Sequence, residues 1–94
     1  MAFPRPYYLT PEQLSDVFAS FKPNQTVSVV RFVYKASQTI RRPEQMTVES
    51  LKTMVFSSMD DERLPGGDFE VEIPALGKKL YGHHDGVFWL EPRA

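Results

Sequence analysis

The chain reads as one two-layer α+β domain, a mainly antiparallel sheet of four or five strands with two helices on one face. Three observations predict this. Two segments place apolar residues at helical spacing, four others are β-branched or aromatic runs, and the last three of these runs are joined by short turns. The expected order is α-β-α-β-β-β, ending in a β-meander. Residues 1–94 are the size of one ordinary domain. With 41% hydrophobic and 24% charged residues, the chain buries a core rather than staying disordered. At this length the core is small, which leaves little room for a large enclosed cleft.

Residues 1–8 are rich in proline and aromatic side chains and read as an extended arm. The first helix begins after Thr10. Thr10 is a good N-cap, Pro11 suits the first helical position, and Gln13 completes a capping box. Leu9 and Leu14 stand at the two ends of a hydrophobic staple. Leu14, Val17, Phe18 and Phe21 then follow one buried helical face, and Lys22-Pro23-Asn24 ends it.

TVSVVRFVYK, residues 26–35, is a strand by composition. Val27 and Val29 share one face, and Val30, Phe32 and Tyr34 share the other. Either both faces are covered or a bulge near Val29 and Val30 shifts the phase. Residues 36–42 either continue this strand or return beside it as a short edge strand, with 37–41 as its candidate core. The second helix, residues 46–59, takes Thr47 as N-cap and pairs Met46 with Leu51 as a staple. Its apolar face is Val48, Leu51, Met54, Val55 and Met59. DDERLPGGD is a polar, turn-rich loop. In DFEVEIP, Phe69, Val71 and Ile73 face one side and Asp68, Glu70 and Glu72 the other, so this strand has one wet face. Residues 74–77 turn the chain, and KKLYGHH and VFWLE are the last two strands.

Asp85-Gly86 between those strands predicts a two-residue type I′ turn. That register pairs His84 with Val87, His83 with Phe88, Gly82 with Trp89 and Tyr81 with Leu90. Trp89 would then cover the bare backbone of Gly82. Consecutive strand residues point to opposite faces. His83 and His84 would therefore point apart and could not easily share a metal ion. A metal site would need further ligands, with Asp60, Asp61, Glu62 and Asp68 as candidates by composition alone. No spacing such as H-E-x-x-H supports one. No metal or other cofactor is expected.

Other chemistries are poorly supported. The chain has no cysteine, which removes disulfides, thiolate metal sites and thiol catalysis. No serine lies in G-x-S-x-G, and no nucleophile, base and orienting group are signalled together. LPGGD precedes a strand rather than a helix and lacks the lysine of a phosphate-binding loop. The net charge is −1, with no basic stripe for nucleic acid. No apolar run approaches the length of a membrane span, and the first residues lack a secretory apolar core. The expectation is a soluble cytoplasmic protein.

The least random feature is charge placement. Residues 60–72 hold six acids (Asp60, Asp61, Glu62, Asp68, Glu70, Glu72) against Arg63, while residues 1–45 hold six bases against three acids. Acidic runs often serve only solubility or protect a strand edge. They also steer basic partners. The expected function is therefore a non-enzymatic module that binds a basic protein, with those six acids, His84 and Trp89 as its contact residues. Bacterial immunity proteins and nuclease inhibitors share this profile of size and acidity, an analogy of type rather than of sequence. Two alternatives stand beside it. One is a metal protein or hydrolase using His83, His84 and nearby acids. The other is a subunit of a larger assembly.

Overall fold

The computed structural model describes residues 8–22 and 24–92, so most of the N-terminal arm and the Pro23 stop signal lie outside the described residues. Helix α1 spans Pro11–Ala19, strand β1 Thr26–Lys35, β2 Gln38–Thr47, helix α2 Val48–Asp61, β3 Phe69–Ile73, β4 Lys78–His83 and β5 Val87–Pro92. The strands form one sheet in the order β2-β1-β3-β4-β5, and every neighbouring pair is antiparallel. No helix is long and apolar enough to cross a membrane among the described residues.

Local chemistry sets the helix starts. The Thr10 hydroxyl accepts from the Gln13 amide at 3.2 Å, and the Thr10 amide donates to Gln13 Oε1 at 2.9 Å. This reciprocal pair satisfies donors that the first turn cannot bond internally. Thr47 caps α2 with the hydroxyl half of that pair alone, accepting from the Ser50 amide at 3.1 Å. Leu14, Val17 and Phe18 of α1 and Val48, Leu51 and Val55 of α2 enter a single core with Val27, Val29, Phe69, Val71, Ile73, Leu80 and Phe88. Both helices therefore cover one face of the sheet, and Leu9, Phe21, Met46, Met54 and Met59 pack around that core.

Residues 38–47 form a full ten-residue strand, longer than the short segment expected at 37–41. Lys35 pairs with Gln38 across the two-residue loop Ala36-Ser37. Ala36 supplies the positive φ (50°) that such a tight turn requires. Strand β2 is an edge, so its outer side tolerates Pro43 and carries mostly exposed polar residues. The β1–β2 ladder runs through ten consecutive pairs, so β1 carries no bulge against β2. Val27 and Val29 face the helices, while Val30, Phe32 and Tyr34 lie on the opposite face.

The last hairpin departs from the expected register by one residue. His83 pairs with Val87, Gly82 with Phe88, Tyr81 with Trp89 and Leu80 with Leu90. The loop is thus His84-Asp85-Gly86, closed by the Gly86 amide donating to His83 O at 2.9 Å. Gly86 has φ of 78°, whereas Asp85 is not among the residues with positive φ, which rules out a type I′ turn. The core decides the register. Phe88 and Phe69 close over Gly82, where a Cβ would meet their rings at 2.7–2.9 Å. The two-residue turn would have put Trp89 into that space and Phe88 outside. Trp89 instead lies against Tyr81 on the uncovered face.

Candidate functional site

Two adjoining surfaces carry the chemistry of this fold. One is the sheet face opposite the helices, uncovered among the described residues, and the other is the end of the molecule where the β4–β5 hairpin meets α2.

Register places Phe32 and Tyr34 of β1, Arg41 of β2, Glu70 and Glu72 of β3, Lys79 and Tyr81 of β4 and Trp89 and Glu91 of β5 on the uncovered face. Tyr81 and Trp89 stack at 5.7 Å with their planes 10° apart. The Tyr8 ring lies 6.3 Å from Trp89, and the Leu9 amide bonds Phe88 O at 2.8 Å, so Tyr8 and Leu9 lie along the β5 edge. The Trp89 indole donates to Glu91 Oε1 at 3.1 Å. Tyr34 is 62% exposed and donates its hydroxyl to Asp68 Oδ2 at 3.0 Å. Together these rings make an aromatic stripe drawn from three of the five strands, β1, β4 and β5, with Glu70 of β3 between them.

Glu70 does not lie on a wet face as its alternation suggests. It is only 5% exposed. Arg41 bonds one of its oxygens, and Lys79 Nζ lies 3.7 Å from the other. A buried carboxylate needs such partners, because its desolvation is costly. Arg41 also lies over the Phe32 ring at 5.2 Å, a cation–π contact. The Tyr81 hydroxyl is pushed up to about 12 by burial, then by its hydrogen bond to Glu70 and the charges of Glu70 and Glu91, with Arg41 opposing. Glu70 therefore organises the middle of the face rather than offering a free charge to a partner.

At the hairpin end, backbone contacts join loop and helix. The Leu64 amide bonds His84 O at 2.9 Å, and Arg63 N bonds Ser58 O at 3.0 Å. The loop before β3 is organised from below by Arg31. Its guanidinium donates to Pro65 O at 3.0 Å and to Met54 Sδ at 3.0 Å, and it pairs with Glu44 at 3.2 Å. This fixes Asp68 just before β3. Asp68 Oδ1 accepts from the His84 amide at 2.8 Å and lies 3.2 Å from His84 Nδ1. Burial pushes Asp68 up, but the His84 amide, the Tyr34 hydroxyl, the His84 ring and the His83 charge together hold it below the usual carboxylate range.

The two imidazoles do not point apart. His83 is the last paired residue of β4, while His84 is the first residue of the turn, where strand alternation no longer applies. Their ring centroids are 3.9 Å apart. Asp85 reaches both, with carboxylate oxygens 3.4 Å from His83 Nδ1 and 3.3 Å from His84 Nε2.

The six acids singled out by sequence thus occupy three places. Asp60, Asp61 and Glu62 are exposed at the C-terminal end of α2. Asp68 stands among the histidines. Glu70 is buried, and Glu72 is exposed on the uncovered face opposite Lys79. The fold brings Glu62 to the hairpin, since Glu62, Asp85 and Gly86 line one shallow depression. Of the aromatic anchors expected beside the acids, Tyr81 and Trp89 lie on this face and Phe88 is buried, whereas Phe32, Tyr34, Arg41 and Lys79 are not signalled as site residues by the sequence. The alternation of β1 signalled Phe32 and Tyr34 as an apolar outer row, whereas Arg41 needed the β1–β2 register to be placed.

No protein-family model, curated protein or solved structure matches this chain.

Proposed function

We propose that the chain is a non-enzymatic binding module that docks a basic protein through the uncovered sheet face and the acidic end beside it. The observation that carries this reading is the aromatic stripe of Tyr34, Tyr81 and Trp89 on the sheet face that neither helix covers among the described residues. Tyrosine, tryptophan and arginine are the residues most enriched where binding energy concentrates.

Size supports the same reading. Five strands span four intervals of about 4.8 Å, and six residues extend about 20 Å, giving a face of roughly 400 Å². A standard interface takes about 800 Å² from each partner. The face alone is about half of that, so a standard-sized interface would also have to engage the adjoining end with Asp60, Asp61, Glu62 and Asp85.

Charge selects the partner class. On and around the face, Asp68, Glu70, Glu72 and Glu91 stand against Arg41 and Lys79. An aromatic sheet face also suits stacked bases, but this balance repels phosphates. A basic protein fits it, and the exposed acids would speed its approach. In the inhibitor form of this reading, the partner is a basic enzyme whose activity falls on binding.

The test is affinity capture from the native host, read by mass spectrometry. Wild type runs beside a folded variant combining Tyr34→Ala with Asp60→Lys and Asp61→Lys. One stoichiometric basic protein, held by wild type and lost by the variant, is the expected result. Equal capture by both would refute the surface, and capture of nucleic acid in place of protein would refute the partner class.

A further inference from the structure

We propose that Asp68, His83 and His84 form a site for one divalent transition-metal ion, with zinc as the reference ion. The site shares Asp68 and Asp85 with the docking surface but does not rest on the docking reading.

One donor atom from each of the three residues falls in a group whose members all lie within 4.8 Å of one another. Donors around a tetrahedral zinc, at bond lengths near 2.0–2.1 Å, stand about 3.4 Å apart. Closing onto an ion therefore asks each donor to move by roughly an ångström or less. The sequence favours this arrangement only because the turn starts at His84. One histidine comes from the end of the strand and the next from the loop, and the rings meet.

The surroundings are those of a held ligand set. The Asp68 carboxylate is fixed by the His84 amide at 2.8 Å and by the Tyr34 hydroxyl at 3.0 Å. Such outer contacts orient metal ligands and tune their affinity. The hairpin that carries the imidazoles is tied to the α2 end through Leu64. Asp85 borders both rings and offers a fourth oxygen, leaving the position to it or to water. His84 is 62% exposed at its side chain, so an ion enters without unfolding.

The donor set names the class of ion. Two imidazoles and a carboxylate suit zinc, nickel or copper, whereas magnesium and calcium require oxygen ligands.

The test is calorimetric titration of Zn²⁺ into the untagged, chelator-stripped full chain at pH 7.5, with Mg²⁺ as control. The expected result is one Zn²⁺ per chain, no Mg²⁺ binding, and shifts of the His83 and His84 ring signals in NMR. His83→Gln with His84→Gln should lose the site, and Asp68→Asn, which keeps the carbonyl acceptor, should weaken it at least tenfold. Circular dichroism confirms that each variant is folded. Zinc binding unchanged in the histidine double variant would overturn the proposal. So would saturation that leaves both rings unshifted, or no heat at all.

Discussion

Replacing Gly86 by alanine should unfold the hairpin end from α2, and its cost separates into two parts. Gly86 has φ of 78°, a region that costs a residue with a Cβ about 1–2 kcal/mol. A Cβ there would also stand 2.3 Å from Ser58 O and 3.0 Å from Arg63 N, both backbone atoms of the α2 end. Backbone cannot swing aside as a side chain can, so overpacking adds about 1–3 kcal/mol. Gly77 provides the control. Its φ is 62°, yet an added Cβ would meet nothing within 4 Å. Gly77→Ala should therefore cost only the conformational part. The total for Gly86→Ala is roughly 3 kcal/mol, a large share of the 5–15 kcal/mol of a typical domain. For a domain of this size that lowers Tm by roughly 12–24 °C. Urea and thermal unfolding followed by circular dichroism measure both variants. Equal losses in the two would refute the docking of the hairpin tip on α2.

Three further outcomes follow from the same geometry. Ala36→Gly should stabilise by roughly 0.5–1 kcal/mol, since glycine relieves the positive φ at a smaller entropic cost; a lower midpoint in urea would contradict the β1–β2 turn. Absorbance at 295 nm should show a tyrosine ionising near pH 12 that disappears in Tyr81→Phe. Because folding raises this group above its ordinary value of 10.0, its contribution to stability is complete below pH 10 and is lost as pH rises through about 12. Glu70→Gln should bring that step down toward 10 without abolishing the shift, because burial is the first of its causes; an unmoved step would separate Glu70 from Tyr81.

How far the sequence carried depends on how local each signal was. Thr10 with Gln13, and Thr47 before Val48, announce helix starts through bonds made within one turn. Phe69, Val71 and Ile73 alternate cleanly because one side of β3 meets the helices. Strand β2 was harder to read, because an edge strand with mostly exposed residues has no reason to alternate. Its turn uses Ala36 in place of glycine. In the last hairpin, a strong local preference for a turn at Asp85-Gly86 lost to a tertiary demand, the need to seat Phe88 over Gly82. That one-residue shift moved Trp89 to the uncovered face and His84 into the loop. The aromatic stripe and the histidine cluster both follow from it. The burial of Glu70 lay beyond sequence patterns, since its partners Arg41 and Lys79 come from separate strands.

The most direct measurement of the central claim uses Trp89, the only tryptophan in the chain. Its indole N–H gives one resolved signal in the ¹⁵N-labelled protein, and it sits on the uncovered face. Titration with the captured basic partner should shift that signal to saturation at one partner per chain, with an affinity that weakens as salt rises. A complex that forms while the Trp89 signal stays unmoved would contradict docking through this face.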